Sequence, residues 1–255
     1  TALLWVGRDH SRLGQQLGLV PVATEQTSWR AGLRLARSLS AGVQRFEWGI
    51  DGLLEVSAQS RQGSLTNPPR EGDLAVFGVP PAAATGQDSW HPVLANLAPY
   101  VFGELRWGRW EFRPGLRVDG FFVSSDRILP PTGNTPRVGF SRADGYLSPR
   151  ASMNLAATSW LILGASAGIQ RQAPDAADLS PVFGSPWLGA ARARVGAVSA
   201  TFVHRLATGE VSAFARRLDG LAVRNPDPWP GLAHSLVSKG RGRANGVSVS
   251  LRHDC

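Results

Sequence analysis

The sequence predicts an all-β protein: an antiparallel meander of membrane-spanning barrel strands, roughly nine or ten of them, forming a partial barrel or curled sheet. Three observations predict it. Apolar and polar residues alternate with period 2 over several long stretches. The connections between those stretches alternate short and long. Good helix formers such as Lys, Met and Glu are sparse, while glycine (29) and proline (18) are somewhat high and charged residues (18%) are low, as in a turn-rich β protein.

The strands can be taken in order. From Trp29 to Leu35, Trp29, Ala31, Leu33 and Leu35 share one face and Arg30 and Arg34 the other. From Phe46, Phe46, Trp48, Ile50, Leu54 and Val56 oppose Glu47, Asp51, Glu55 and Ser57. Residues 104–122, "ELRWGRWEFRPGLRVDGFF", set two such runs about a tight turn at Gly108-Arg109. Leu105, Phe112, Leu116 and Val118 fall on one face, and Glu104, Arg106, Arg113, Arg117 and Asp119 on the other. Leu147, Ala151, Met153 and Leu155 alternate with Ser148, Arg150, Ser152 and Asn154, and Val247, Val249 and Leu251 with Ser248, Ser250 and Arg252. Stretches 160–171, 193–206 and 211–223 have strand composition but no clear phase.

Short links are expected at Ser40–Val43, Gly108-Arg109, Ala157–Ser159 and Ala207–Glu210, and long ones at about 61–97, 125–145, 172–192 and 224–242. Tight turns at one end and long loops at the other are the habit of outer-membrane barrels, with short periplasmic turns and longer extracellular loops. The two faces then meet two solvents. The apolar face meets lipid and the charged face lines a lumen. Trp107, Trp110 and Trp160, near the short turns, suit the membrane–water boundary, because an indole joins an apolar body to one N–H donor.

Bulk properties narrow the function classes. A chain of 255 residues can hold one large β domain or two smaller ones. Lys239 is the one lysine among 27 basic residues. The net charge of +8 is spread along the chain, densest at Lys239, Arg241 and Arg243, which argues against nucleic acid. One cysteine, Cys255, supports neither a disulfide framework nor a thiolate metal site. No apolar run reaches the roughly 18–20 residues of a membrane helix, whereas barrel strands need only about 9–11 each. The chain begins at Thr1 without Met or signal peptide, and is read as a mature chain or a piece of a longer one.

Chemical motifs are few. Residues 164–168, Gly-Ala-Ser-Ala-Gly, fit the nucleophile-elbow pattern with Ser166 central, and Asp227 and His253 follow in hydrolase order. An elbow needs a helix directly after it, yet Pro174 follows within a few residues. The five histidines (10, 91, 204, 234 and 253) have no metal-ligand spacing. "GRGRANG" lacks the Lys-Ser/Thr ending of a phosphate loop. Asp73, Asp88, Asp126, Asp175 and Asp178 fall in predicted loops and are candidates for ligand contact or plain solvation. No catalytic, cofactor-binding or metal residue is assigned, no cofactor is expected, and ligand-binding residues stay unassigned.

Three passages resemble the barrel of TonB-dependent outer-membrane receptors. Ser148-Pro149-Arg150 opens a strand followed by a turn, a second strand and the Gln172-Ala173-Pro174 loop entry. Gly240, Gly242, Arg243, Ala244 and Gly246 match a strand-entry motif. Pro114-Gly115-Leu116-Arg117 with Asp119 matches a strand–turn–strand pair. Together they cover about 98–122, 146–178 and 240–253. The resemblance implies an outer-membrane protein that takes up a scarce ligand, such as a siderophore–iron complex, a cobalamin or an oligosaccharide. Its implied partners are outer-membrane lipid, the ligand, and the TonB energy-transducing complex acting through a plug domain. That plug is not visible here, nor is an aromatic C-terminal strand end, since the chain stops at Asp254-Cys255. Residues 1–255 are therefore expected to be one partial barrel domain without its plug, of a family that closes with 22 strands. No enzymatic activity is expected. The alternatives are a passive porin-like barrel, a soluble all-β binding module, and a serine esterase using Ser166.

Overall fold

The computed structural model describes residues 1–17, 20–64, 85–131, 136–227 and 231–253. Eleven strands make up nearly all of it: β1 (Ala2–Leu17), β2 (Val20–Ala41), β3 (Gln44–Ser64), β4 (Thr85–Trp90), β5 (Val93–Trp107), β6 (Trp110–Ser125), β7 (Phe140–Ala156), β8 (Leu161–Gln172), β9 (Ala191–His204), β10 (Ala207–Arg224) and β11 (Leu236–His253). They form one antiparallel sheet in sequence order, with β4 set aside as an extra partner for the end of β3. Among the described residues β1 and β11 do not pair with each other, so the sheet is open. This is the expected partial barrel, with two strands beyond the sequence reading, β1 and β4.

The strands are long because they serve two environments. β3 has 21 residues, against the roughly 9–11 that cross a bilayer. The excess lies at the long-loop end, where Gln59–Ser64 pair with β4. At the opposite end the links are two to four residues, at 42–43, 108–109, 157–160 and 205–206. Gly108 adopts φ +57, a left-handed conformation that glycine takes without a Cβ clash and that a tight hairpin turn requires. The long links are shorter than the sequence suggests, because β5, β7, β9 and β11 begin early. Residues 207–210, expected as a turn, are already strand, and the turn falls at Arg205-Leu206.

Register resolves the phases the sequence left open. Ser152 pairs with Ser166 and Ser166 with Ala197, so Ile162, Gly164, Ser166 and Gly168 face inward and Leu163, Ala165 and Ala167 outward. In β10 a bulge at Gly220 (φ +74) shifts the register between Asp219 and Leu221. A bulge reverses the inward–outward order along a strand, and this one interrupts the period-2 pattern over 211–223.

The wall has no apolar core of its own. Its outward side chains remain exposed, as at Trp48, Leu97, Trp107, Met153, Trp160 and Val198, which is what a lipid-facing surface requires. Trp107 and Trp110 form an in-register pair at the base of the β5–β6 hairpin. No helix among the described residues is long and apolar enough to cross a membrane.

Candidate functional site

The inward face of the wall carries a charged lattice built by strand pairing. Antiparallel register sets Arg34 opposite Asp51 and Arg30 opposite Glu55 on β2 and β3. Their side chains meet at 2.7 Å and 3.0 Å. Arg117 of β6 reaches across β5 to Asp51 (2.5 Å) and along its own strand to Asp119 (2.7 Å). Asp119 is nearly buried and accepts a further bond from Ser148 at 2.6 Å. Nearer the short turns, Arg106 and Arg113 share Glu104 and Glu111. Each carboxylate therefore faces at least one guanidinium, whose planar fork suits it.

Aromatic rings cover glycines between these charges. Four in-register pairs, Trp5 with Gly32, Tyr100 with Gly49, Phe102 with Gly115 and Phe214 with Gly246, repeat this on the concave face. At Gly115 a Cβ would lie 2.3 Å from the Phe102 ring, and at Gly49 it would lie 2.7 Å from the Tyr100 hydroxyl. Glycine is therefore required at both positions for the ring to lie flat on the backbone. The Arg150 guanidinium then stacks on Phe102 at 3.7 Å. Phe102 and Arg150, with Glu47, Asn96, Arg117 and Ser166, line a concave space of about 910 Å³, the size of a small-molecule site.

A second region closes the long-loop end. The β8–β9 connection folds compactly at the mouth around a 3₁₀ turn, Ala176–Leu179, capped by Asp175, which accepts from the Ala177 N–H at 2.9 Å. Leu179, Phe183 and Leu188 are buried there with Trp90 and Leu236. The Trp90 indole donates to the Ala176 carbonyl at 3.0 Å, and Ser180 donates to Asp88 at 2.6 Å while accepting from the Val182 and Phe183 N–H groups. Arg61 stacks on Phe183, and Arg142 donates to the Leu188 carbonyl. Gly184 lies so close to the turn that a Cβ would meet the Asp178 carbonyl oxygen at 1.9 Å.

The carboxylates of Asp88, Asp126 and Asp175 make structural bonds in this arrangement. Burial raises the Asp88 pKa above the usual carboxylate range, with the Ser180 hydroxyl bond opposing. Burial would raise Asp126 as well, but bonds from Arg137 and from the His91 N–H and ring outweigh it and hold Asp126 at about 2. Asp175 caps the 3₁₀ turn, and the Asp178 carbonyl accepts from the Ser185 N–H. Asp73 lies outside the described residues.

The esterase constellation does not assemble. Ser166 sits mid-strand in β8, with no elbow or helix after it. His253 lies at the short-turn end, bonded to the Leu206 carbonyl, while Asp227 follows the opposite end of β10. No metal-holding group of His, Cys, Asp and Glu occurs among the described residues. The glycine–aromatic pairing and the folded mouth loop were not read from sequence. The first leaves a faint trace, a glycine one strand away from a lone inward aromatic. The second leaves none, because its partners are scattered from Trp90 to Leu236.

With this geometry in hand, comparison with known proteins decides the family. The family model for the TonB dependent receptor-like beta-barrel matches residues 7–254. The chain belongs to this family. Among solved structures it is similar to the copper transporter OprC (13% identity, TM-score 0.68, 100% of this chain and 41% of that one). It is also similar to the ferric citrate transporter FecA in its unliganded form (13%, 0.64, 99% and 36%). The ferric yersiniabactin uptake receptor FyuA from Yersinia pestis superposes at TM-score 0.71 (11%, 98% and 36%). At these identities the likeness concerns the fold. The chain spans about two fifths or less of each of these proteins. Comparison with curated protein sequences gives no match. As a TonB-dependent receptor barrel, the chain resides in the outer membrane, its short turns periplasmic and its mouth loop extracellular.

Proposed function

We propose that this barrel wall serves a TonB-energised receptor importing a scarce anionic ligand, of which a ferric siderophore complex fits best. The observation that carries the reading is the concave space lined by Arg150, whose guanidinium stacks on Phe102, beside Arg113 and Arg117, which are held in place by their carboxylate partners. Arginine forks favour the carboxylates, catecholates or hydroxamates that wrap a metal ion. The similar structures are a copper transporter, a ferric citrate transporter and a ferric yersiniabactin uptake receptor, which supports a metal or metal-chelate cargo. Cobalamin and oligosaccharide remain the other cargo classes. No bond is made or broken in this role; the wall binds and guides.

The test is uptake by cells carrying the full-length receptor. Accumulation of a radiolabelled ferric chelate should stop when the proton-motive force is collapsed, and Arg150→Gln should raise the half-saturating concentration several-fold. Energy-independent uptake would favour the porin-like alternative instead.

A further inference from the structure

We propose that the inner face of β8–β11 is the path along which an anionic cargo descends toward the periplasmic end. The inference rests on the cargo site proposed above and adds the direction of travel from it. Register draws the boundary of the path. One inward row runs through Arg106, Glu111, Asn154, Gly164, Ser199, Ser212 and Ser248, from β5 to β11. Charge ends in this row at Asn154. The next row up, from Arg113 through Ser152 and Ser166 to Ala197, makes the same change at the same strand. Above both, Arg150, Gly168, Val195 and Arg216 share a row.

Three further observations point to a guest on the uncharged side. The guanidinium groups of Arg30, Arg34, Arg113 and Arg117 are engaged by carboxylates. Arg150 and Arg216, at the head of the path, have no ion-pair partner among the described residues. The concave space reaches Ser152, Ser166, Gly168 and Val195, and so opens onto this side. Among the described residues the hydroxyls of Ser166, Ser199, Ser212 and Ser248 bond to no other group. Glycines keep the surface flat: a Cβ at Gly164 would lie 2.5 Å from the Ser199 hydroxyl oxygen, and one at Gly246 would lie 2.6 Å from the Phe214 ring.

Binding and passage ask for opposite walls. An anion held in a guanidinium fork must break charge-assisted bonds to move on, and a lattice of alternating charges would catch it again at each row. Hydroxyls offer single neutral bonds that water replaces readily, and conduction needs many weak sites in place of a few strong ones. The column ends at Glu210 and Arg252, opposite charges on diagonal inward positions, which add no net charge at the exit.

The experiment uses cells carrying the full-length receptor, with radiolabelled ferric citrate and an anionic ferric tris-catecholate as probes. Surface binding is measured with the proton-motive force collapsed and uptake with it restored. Ala197→Arg sets a fork in the path and Ser199→Trp an obstacle. Each should lower the initial uptake rate at least about fivefold while surface binding stays equal or tighter. Ser38→Arg and Ser38→Trp, inward on β2 opposite Glu47, should leave binding and uptake unchanged. Heat-modifiable electrophoretic migration reports that each variant is folded. Unchanged uptake in both path variants, or an equal loss in the Ser38 variants, would overturn the path and leave the cargo site standing. Loss of surface binding in both path variants would place these residues in the site itself and also overturn the path. A parent receptor that imports neither probe would overturn the cargo reading, and the path with it.

Discussion

The mouth loop and the barrel wall solve opposite problems with the same chain. The mouth buries Leu179, Leu188, Trp90 and Leu236 in a small dry core, so its cohesion comes from apolar burial. The wall leaves its large apolar groups exposed and spends its polar groups on ladders and ion pairs. Its cohesion comes from hydrogen-bonded register, with lipid supplying the missing apolar contacts. Each region should therefore fail on its own.

The largest effect is expected in the mouth. Leu179→Ala empties a fully buried site and should cost about 2–5 kcal/mol locally. Gly184→Ala forces a Cβ onto the Asp178 carbonyl and should open the same loop. In both variants hydrogen exchange at 176–188 should rise more than tenfold while heat-modifiable migration stays unchanged. Simultaneous loss of both would break the comparison. In the wall, Arg117→Met should lower the unfolding free energy by about 1–3 kcal/mol, because Asp51 and the nearly buried Asp119 lose a shared partner. That loss should appear in thermal unfolding of the whole barrel and leave mouth-loop exchange unaltered.

Acid should separate two parts of the mouth. Asp126 has a lowered folded pKa, so its contribution is full above the unfolded value of ~3.9 and fades as pH falls through about 2. Asp88 has a raised pKa, so its ionisation opposes folding, and protection of the loop it holds should grow as pH falls from neutrality through that pKa. As pH falls from neutrality, protection relative to intrinsic amide exchange should rise around Ser180 and stay unchanged at Ile128, which bonds Val138 beside Asp126. Asp88→Asn should abolish the first trend. The smallest effect belongs to Arg34→Gln. That guanidinium is 57% exposed, so solvent screens its ion pair and its loss should leave the thermal melt close to that of the parent protein.

The wall was largely legible in the sequence because period 2 needs only neighbours along one strand. Trp110 to Val118 and Phe46 to Val56 announce their faces directly. Where side chains are small, as in Gly164–Gly168, or where Gly220 inserts a bulge, alternation carries no signal. β1 escaped because its outward face turns from Leu4 and Val6 to Arg8 and His10 beyond the lipid band. β4 escaped because it is short and stands outside the membrane. The mouth core was illegible because its parts come together only through tertiary contact, Asp88 with Ser180 and Trp90 with Ala176. The loop acids offered no sign in the sequence of the bonds that Asp88, Asp126 and Asp175 make within and between the loops.

The in-register charges of β2, β3 and β6 also act before the barrel is finished. Side chains repeat every two residues, so a slip of one position would turn Arg34, Asp51 or Arg117 outward into hydrocarbon. Each such charge costs about 2.5–3.5 kcal/mol at the membrane centre. A single misaligned hairpin would meet that penalty several times over, on both strands at once. The charges thus check alignment during insertion: they admit one pairing and expel the next.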